Sequence, residues 1–204
     1  MDTELSANER RKVAKRDAIV AGAVKAFEQE GFERASMDLV AKLARASKGT
    51  VYKYFKSKND LLWAVVKGLM AGQNELSQIR YSKDDSLESQ LGRFVDAQVY
   101  FVVDPGRLST ARLLTSIFVQ NKQLREEASN ASHSQFDHLI EWVRAAKKDK
   151  RLKVKDHKVA AQVFHGLVEG TINFPALCGS LKMDRELKLM KDEVIAVFLS
   201  RYAA

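Results

Sequence analysis

The sequence contains few of the residues that cross-link small domains or interrupt helices. Cys178 is the one cysteine among 204 residues, which excludes an internal disulfide and a cysteine-rich metal site. Two prolines and ten glycines leave little material for turns, and the apolar alternation that marks strands is nearly absent. No apolar run approaches the roughly eighteen residues of a membrane span, and the N-terminus has no apolar core of signal-peptide type. These absences predict an all-α, cytoplasmic protein.

Residue patterns that carry catalysis are missing as well. There is no glycine-rich phosphate loop after a strand, no Gly-x-Ser-x-Gly motif and no pairing of cysteine with histidine. The four histidines lack metal-ligand spacing, since His133 and His138 lie five residues apart and point from different faces of a helix. The sequence therefore predicts a protein that is not an enzyme and that uses no metal or cofactor.

Positive charge, by contrast, is abundant and concentrated near the N-terminus. The net charge is +8, and residues 10–58 hold thirteen Lys and Arg against five Asp and Glu, whereas the remainder holds twenty-one of each. A basic region beside a neutral remainder is the charge distribution of a nucleic-acid-binding protein. A solvated basic face without a partner is the alternative.

Two short helices are predicted inside the basic region. Leu39, Val40 and Leu43 recur at helical spacing between about residues 37 and 44, directly after Ser36, a favoured N-cap residue. The chain then turns and restarts at Ser47, a second N-cap candidate. Two helices joined by so tight a turn must cross steeply, which is the geometry of a helix-turn-helix.

The second of these helices has the surface of a DNA-reading helix. Val51 and Phe55 lie four residues apart and anchor it inward, whereas hydroxyls and ammonium groups cover its other faces. Such groups suit phosphates and base edges. Gly49 removes a side chain near the helix start, where backbone approaches a phosphate or base closely. An ordinary solvated helix with packed aromatic residues is the alternative.

Four short sequence blocks follow one another between residues 18 and 62. They are Gly31–Phe32, SMDLVA at residues 36–41, SKGTVYKYF at residues 47–55 and SKNDLL at residues 57–62. Together they resemble the DNA-binding half of the TetR (TetR/AcrR) family of bacterial transcriptional regulators. One departure is Arg45, since the family usually has glycine at this turn position and a non-glycine residue with positive φ is uncommon.

The resemblance implies an all-α fold of about nine helices in two domains. Residues 10–60 are expected to form a three-helix helix-turn-helix DNA-binding domain, with the motif at about 36–55, and residues 61–204 a helical ligand-binding and dimerisation domain. The implied function is that of a ligand-responsive repressor that binds a palindromic operator in double-stranded DNA as a homodimer. A DNA-bound structural or assembly protein of this fold, without an effector, is the alternative. The residues expected to contact DNA are Ser36, Arg45, Ser47, Lys48, Gly49, Thr50, Tyr52, Tyr54, Lys56 and Lys58.

Apolar spacing predicts the helices that follow. One long helix is expected from Ser57 through Leu76 to about Arg80, and a rod of this kind would transmit movement between the two domains. A helix from Leu87 to Asp104 follows, and Asp104–Pro105 reads as the cap and first position of the next one. The basic run at residues 147–155 is expected to be an exposed loop.

The last two helices are expected at about residues 156–178 and 184–202. The first is apolar nearly all round, so it must be covered on two sides, and Gly166-x-x-x-Gly170 permits close approach of another helix. In the TetR family such a pair forms a four-helix interface with its copies in the second subunit. The expected interface residues are Val163, Gly166, Gly170, Phe174, Val194, Val197 and Phe198.

The family resemblance also implies a pocket for a small, largely apolar effector inside the C-terminal helices. Helical register suggests a set of lining residues, for which plain core or surface packing is the alternative. No membrane partner is expected, since the alanine-rich apolar face of the basic N-terminal helix anchors weakly. The suggested lining residues are Phe94, Gln98, Phe118, Trp142, His165 and Glu169.

Overall fold

The computed structural model describes residues 6–70, 78–182 and 185–204, with backbone alone at residues 129–136. Within these ranges the chain forms ten α-helices and one π-helical turn, and none of the helices is long and apolar enough to cross a membrane. In chain order the elements are α1 (Ala7–Arg34), α2 (Met37–Leu43), α3 (Lys48–Tyr54), α4 (Lys58–Met70), α5 (Leu87–Gln98), α6 (Pro105–Gln120), α7 (Lys122–Lys148), α8 (His157–Val168), the π-turn (Glu169–Asn173), α9 (Phe174–Cys178) and α10 (Leu187–Tyr202).

The chain folds into two compact units. Unit 1 comprises Met1–Leu69 together with Leu113–Ile117 of α6, and unit 2 comprises Met70–Arg112 and Phe118–Ala204. α4 up to Leu69 therefore belongs with the helix-turn-helix, whereas the sequence-based boundary after residue 60 divided this helix. An all-α fold was predicted, and the structure confirms it for the described residues.

Local sequence features determine where the first helix of unit 1 begins and where it bends. The Ser6 hydroxyl accepts a hydrogen bond from the Glu9 N–H at 3.3 Å, and the Glu9 carboxylate accepts one from the Ser6 N–H at 2.8 Å. This capping box satisfies backbone donors that the first helical turn leaves unpaired. At the far end, Gly31 has φ 74° and breaks α1, so that the ring of Phe32 turns back to meet Phe27 edge-on, with 5.2 Å between centroids.

α1 crosses the end of α2 at a point where only glycine fits. A Cβ atom on Gly22 would lie 2.9 Å from both the Cβ and the backbone nitrogen of Ala44. We expect Gly22→Ala to destabilise unit 1 by about 1–3 kcal/mol, because α1 must move away from the backbone of the turn. Urea unfolding followed by circular dichroism measures this loss of stability.

Gly68→Ala is the matched control for this substitution. A Cβ on Gly68 meets nothing within 4 Å, and alanine in a helix is favoured over glycine by about 1 kcal/mol. We therefore expect Gly68→Ala to preserve or raise the stability of the protein. Equal unfolding midpoints for Gly22→Ala and the unaltered protein would contradict the close crossing of α1 over Ala44.

Unit 2 contains one hydrophobic core to which α5, α7, α8 and α10 all contribute. Aromatic side chains meet edge-on within it: the rings of Phe94 and Trp142 are 5.8 Å apart, and those of Phe164 and Phe198 are 5.1 Å apart. Edge-to-face pairs of this kind add to the stability that apolar burial already provides. These rings therefore hold α5 to α7 and α8 to α10.

A buried amide fastens the segment that precedes α5. The Gln90 side chain is fully buried. Its Nε2 donates to the carbonyl oxygens of Ser82 and Asp85. Its Oε1 accepts from the Ser82 N–H and from Trp142 Nε1, the latter at 2.9 Å. Arg151 donates to the same two carbonyl groups from the loop after α7. Because every polar atom of the Gln90 amide has a partner, its burial carries little penalty.

The rod expected from Ser57 to Arg80 is not continuous to its predicted end. α4 is described as far as Met70, Leu76 lies outside the described residues, and Gln78–Arg80 are not α-helical. Ile79 is nevertheless buried in the core of unit 2. The apolar spacing that suggested helix therefore reflects burial from an irregular segment at this end.

Two further predictions about unit 2 were wrong. α5 ends at Gln98 rather than Asp104, because the chain turns at Val99, whose carbonyl accepts from the Val102 N–H at 2.9 Å. The run at 147–155 is not uniformly exposed, since Leu152 and Val154 are buried in the core. The predicted start of α6 is confirmed, because the Asp104 carboxylate accepts from the Arg107 N–H at 2.9 Å.

Candidate nucleic-acid interface and regulatory face

Both predicted N-caps of the helix-turn-helix are confirmed. The Ser36 hydroxyl accepts from the Leu39 N–H at 3.1 Å and starts α2, and the Ser47 hydroxyl accepts from the Thr50 N–H at 3.1 Å and starts α3. Ser47 Oγ also lies 2.8 Å from Thr50 Oγ1. Each cap satisfies a backbone donor within three residues, which is why a short sequence pattern was enough to locate both helices.

Arg45 adopts the left-handed conformation that the turn requires. Its φ is 50°, its N–H donates to the Lys42 carbonyl, and the Ala46 N–H donates to the Ala41 carbonyl at 3.0 Å. This is a Schellman termination of α2, in which glycine usually occupies the left-handed position. An arginine in this conformation costs about 1–2 kcal/mol, and its exposed side chain adds a cation at the surface.

One side of α3 is buried in unit 1, and the other side is exposed to solvent. Val51 is fully buried, and Phe55, at the end of the helix, is buried with the Arg16 guanidinium 5.3 Å from its ring centroid. Lys48 and Gly49 are exposed, as is Tyr52 at 45% of its surface. A Cβ on Gly49 would meet nothing within 4 Å, so the packing of this chain does not require a glycine there.

Lys48 has an acidic neighbour that sequence reasoning missed. Its ammonium lies 2.8 Å from the carboxylate of Asp38 in the first turn of α2, and both side chains are exposed. The hydrogen bond and the charge of Asp38 raise the pKa of Lys48 above its usual value. The ammonium is therefore charged and oriented, and it must share Asp38 with, or exchange it for, any anion that approaches α3.

The other residues expected to contact DNA have different surroundings. The Lys58 ammonium donates to the Glu33 carbonyl at 2.7 Å and lies 4.7 Å from the Phe32 ring centroid, so this side chain joins the start of α4 to the end of α1. Lys56 is exposed, whereas Thr50 and Tyr54 are half-buried. The surface of the motif therefore offers Arg45, Lys48, Tyr52 and Lys56 to solvent.

An apolar face is exposed on α8 and α9. Val163 is 41% exposed and Phe174 64% exposed, and a Cβ on Gly166 or Gly170, which are also exposed, would meet nothing within 4 Å. Val197 of α10 is 43% exposed. Val163, Gly166, Gly170 and Phe174 recur at helical spacing, and exposed apolar faces of this kind are typical of interaction sites.

Two residues expected on the dimer face lie inside the chain instead. Val194 and Phe198 are buried in the core of unit 2, where the ring of Phe198 packs against Phe164. α10 has apolar residues on more than one face, and the face that includes these two residues points into its own chain. They therefore contribute to folding of the single chain and not to an exposed face.

Three of the residues expected to line a pocket lie together in a polar cluster, which we define as Gln98, His165, Glu169 and Asn173. His165 Nδ1 is 2.7 Å from Gln98 Oε1, and its Nε2 is 4.0 Å from Glu169 Oε1. Asn173, which was not among the expected lining residues, is fully buried and donates to Glu169 Oε1 at 2.6 Å. Burial lowers the pKa of His165, and the Glu169 carboxylate partly opposes this.

The aromatic residues expected to line the same pocket do not join the cluster. Phe94 and Trp142 are buried against one another in the core, with the Trp142 indole N–H satisfied by Gln90. Phe118 is half-buried near the end of α6. Among the residues whose side chains the structure describes, no group of three or more His, Cys, Asp or Glu could hold a metal ion.

Two family models match the chain. Residues 19–65 match the model described as bacterial regulatory proteins of the tetR family, and residues 89–204 match the C-terminal domain of AefR-like transcriptional repressors. The transcriptional regulator BetI of Pseudomonas aeruginosa is 26% identical over 186 residues, which cover 87% of this chain and 90% of that protein.

Solved structures share the fold. A TetR family transcriptional regulator from Pseudomonas syringae pv. tomato has 27% identity and a TM-score of 0.74, covering 92% of this chain and 96% of that one. SmeT, the repressor of a Stenotrophomonas maltophilia multidrug efflux pump, superposes in its complex with triclosan with a TM-score of 0.72 at 21% identity, covering 94% and 92%. The chain has a helix-turn-helix and an all-α second unit, and one family model matches residues of each. It therefore belongs to the TetR family and is a DNA-binding transcriptional regulator.

Proposed function

We propose that this regulator is a ligand-responsive repressor that binds a palindromic operator as a homodimer, with α3 as the recognition helix. The observation that carries the DNA-binding part is the exposed side of α3, where Lys48 and Tyr52 flank the open backbone of Gly49. A helix in the major groove places its N-terminal side chains against base edges and phosphates. Lys48 supplies a charged donor there and Tyr52 a hydroxyl group.

Gly49→Ala tests this assignment directly. The new methyl group meets nothing in the free protein, so the fold should be retained. In the complex it would lie where backbone approaches a phosphate or base, and we expect operator affinity to fall by about 1–3 kcal/mol. DNA selected by the protein from a random pool serves as the operator, and fluorescence anisotropy measures the affinity.

Gly68→Ala again provides the control, because it makes the same chemical change on another exposed helical surface of unit 1. We expect this variant to bind the selected DNA as the unaltered protein does. Undiminished affinity in Gly49→Ala, with a folded protein confirmed by circular dichroism, would rule out close approach of DNA to the start of α3.

The homodimer is proposed from the apolar face of α8 to α10. The free chain gains nothing from leaving Val163, Phe174 and Val197 exposed to water, since burial of such side chains is favourable by about 25 cal/mol per Å². Gly166 and Gly170 would let a second helix approach closely, and neither glycine is required by packing within the chain. A two-fold pair of recognition helices also fits a palindromic operator.

Ligand response is proposed from the polar cluster and from SmeT, which has been solved with triclosan. Gln98 and Asn173 are buried polar residues in an otherwise apolar region, and the π-turn that carries Asn173 is an element often found at functional sites. We propose that an effector bound beside this cluster lowers the affinity of the protein for its operator.

Reciprocal titration tests the coupling. If an effector lowers operator affinity by some factor, operator DNA must lower effector affinity by the same factor, typically about 5- to 150-fold. Calorimetric titration of the effector into free and operator-bound protein measures both sides of this relation. Equal effector affinities in the two states would show that the ligand site is not coupled to DNA and would contradict the proposed ligand response.

A further inference from the structure

The Asn173 amide has used both of its hydrogen-bond donors. Asn173 Nδ2 donates to Glu169 Oε1 at 2.6 Å and lies 3.3 Å from the Gln98 carbonyl oxygen. A rotated amide would place Asn173 Oδ1 against these two acceptors, so the orientation is fixed by its partners. Oδ1 is fully buried and finds no hydrogen-bond partner among the described residues.

The partners of His165 determine which of its ring nitrogens carries the proton. Gln98 Oε1 is an acceptor, so the proton of a neutral His165 ring lies on Nδ1 and is directed at that oxygen. Burial favours the neutral ring by lowering the pKa of His165. His165 Nε2 is then an acceptor, and it faces the Glu169 carboxylate at 4.0 Å.

Asn173 Oδ1 and the neighbouring Glu169 carboxylate are therefore both acceptors, and one of them carries a negative charge. An unpaired buried acceptor is unfavourable, because it has lost the hydrogen bond that it made to water in the unfolded chain. The donors of Asn173 and His165 are directed at other acceptors, so neither side chain satisfies Asn173 Oδ1. The Glu169 side chain is 40% exposed and the His165 side chain 32% exposed, so the cluster reaches the surface at these two residues.

We propose that the effector of this regulator carries an ammonium group, which binds between Asn173 Oδ1 and the Glu169 carboxylate. This inference rests on the proposed ligand response and specifies its chemistry. Asn173 Oδ1 is bonded to the same carbon as Nδ2, which lies 2.6 Å from Glu169 Oε1. The two oxygens are therefore close enough for one ammonium nitrogen, at the usual ~2.8 Å from each, to contact both. An ammonium has three donors and no acceptor, and it matches these two acceptor groups.

The proposal also states which compounds the site rejects. A carboxylate of the same skeleton would face Glu169 as a like charge and leave Asn173 Oδ1 unsatisfied. An alcohol has one donor and no charge, so it satisfies the amide oxygen without compensating Glu169. The expected order of affinity is ammonium above alcohol above carboxylate, for any apolar skeleton that fits.

Three matched series of probes test this order. Butylamine, 2-phenylethylamine and 1-naphthylmethylamine are each compared with the alcohol and the carboxylate of the same skeleton, at millimolar concentration, against the full chain. Calorimetric titration gives the affinities and thermal unfolding gives an independent readout. We expect at least one amine to bind about ten- to a hundredfold more tightly than its carboxylate.

Glu169→Gln removes the charge but keeps an oxygen that can accept from Asn173, and it should lower amine affinity by about tenfold or more. Glu193→Gln on the exposed side of α10 is the matched control and should leave amine affinity unchanged. Asn173→Leu removes the acceptor, and its folding is checked by circular dichroism; if it fails to fold, Glu169→Gln decides alone.

Three results would overturn the proposal: binding of no amine, equal or tighter binding of the carboxylates or alcohols, or amine affinity that is unchanged in Glu169→Gln. Operator binding by the ligand-free protein is measured in the same preparations. Failure to bind selected DNA contradicts the proposed function, whereas failure in the amine series with normal DNA binding contradicts the ammonium site alone.

Discussion

Lys48→Ala is expected to weaken operator binding and to reduce the slope of log affinity against log salt by about one unit, as loss of a single phosphate contact does. Lys48 is exposed, and its ammonium is oriented by Asp38 at the first turn of α2. The same substitution at Lys67, an exposed lysine on α4, removes an equal charge and serves as control. Fluorescence anisotropy at several salt concentrations measures the slope.

Asp38→Asn provides a test in the opposite direction. It removes the carboxylate with which a phosphate must compete for Lys48, so we expect affinity for DNA of any sequence to rise at low salt. Equal slopes for Lys48→Ala and Lys67→Ala, together with no effect of Asp38→Asn, would show that this ion pair lies outside the DNA interface.

Gly170→Glu is expected to abolish both the dimer and operator binding. A Cβ at this position meets nothing within 4 Å, so the single chain tolerates the new side chain. In a close helix-helix contact, however, an unpaired buried carboxylate costs about 3–5 kcal/mol, which weakens association more than a hundredfold. Light scattering at micromolar concentration measures the oligomeric state, and the anisotropy assay measures DNA binding.

Gly68→Glu is the control for this variant, because it places the same charge on an exposed helical glycine of unit 1. We expect that variant to remain dimeric. A Gly170→Glu protein that stays dimeric would place the interface elsewhere, and a dimeric protein that no longer bound DNA would separate the two expected effects.

Features that depend on neighbouring residues in the sequence could be predicted, because the groups that determine them are three or four residues apart. The caps of α2 and α3 by Ser36 and Ser47 are of this kind, and so is the cap of α6 by Asp104. The left-handed turn at Arg45 could be located by resemblance, although arginine itself gave no signal for it.

Features that depend on distant residues could not be predicted. Gly22 is required because Ala44 lies against it, and Lys48 is oriented by Asp38 on another helix. The sequence of α10 likewise does not indicate whether an apolar residue packs against the core of the same chain or against a second chain. Val194 and Phe198 were therefore assigned to the dimer face, although they are buried within the single chain.

The π-turn at Glu169–Asn173 has a consequence for aligning this chain with its relatives. A π-turn accommodates one residue more than an α-helical turn, so the side chains before and after it are out of phase with a single 3.6-residue period. A relative with a straight α-helix here would have one residue fewer, and the alignment gap belongs within 169–173. If the gap is placed in a loop instead, the residues between that loop and the π-turn are aligned one position out of register. The buried Asn173 would then be compared with the position that corresponds to the exposed Phe174, so that residues of the polar cluster are matched to residues of the apolar face.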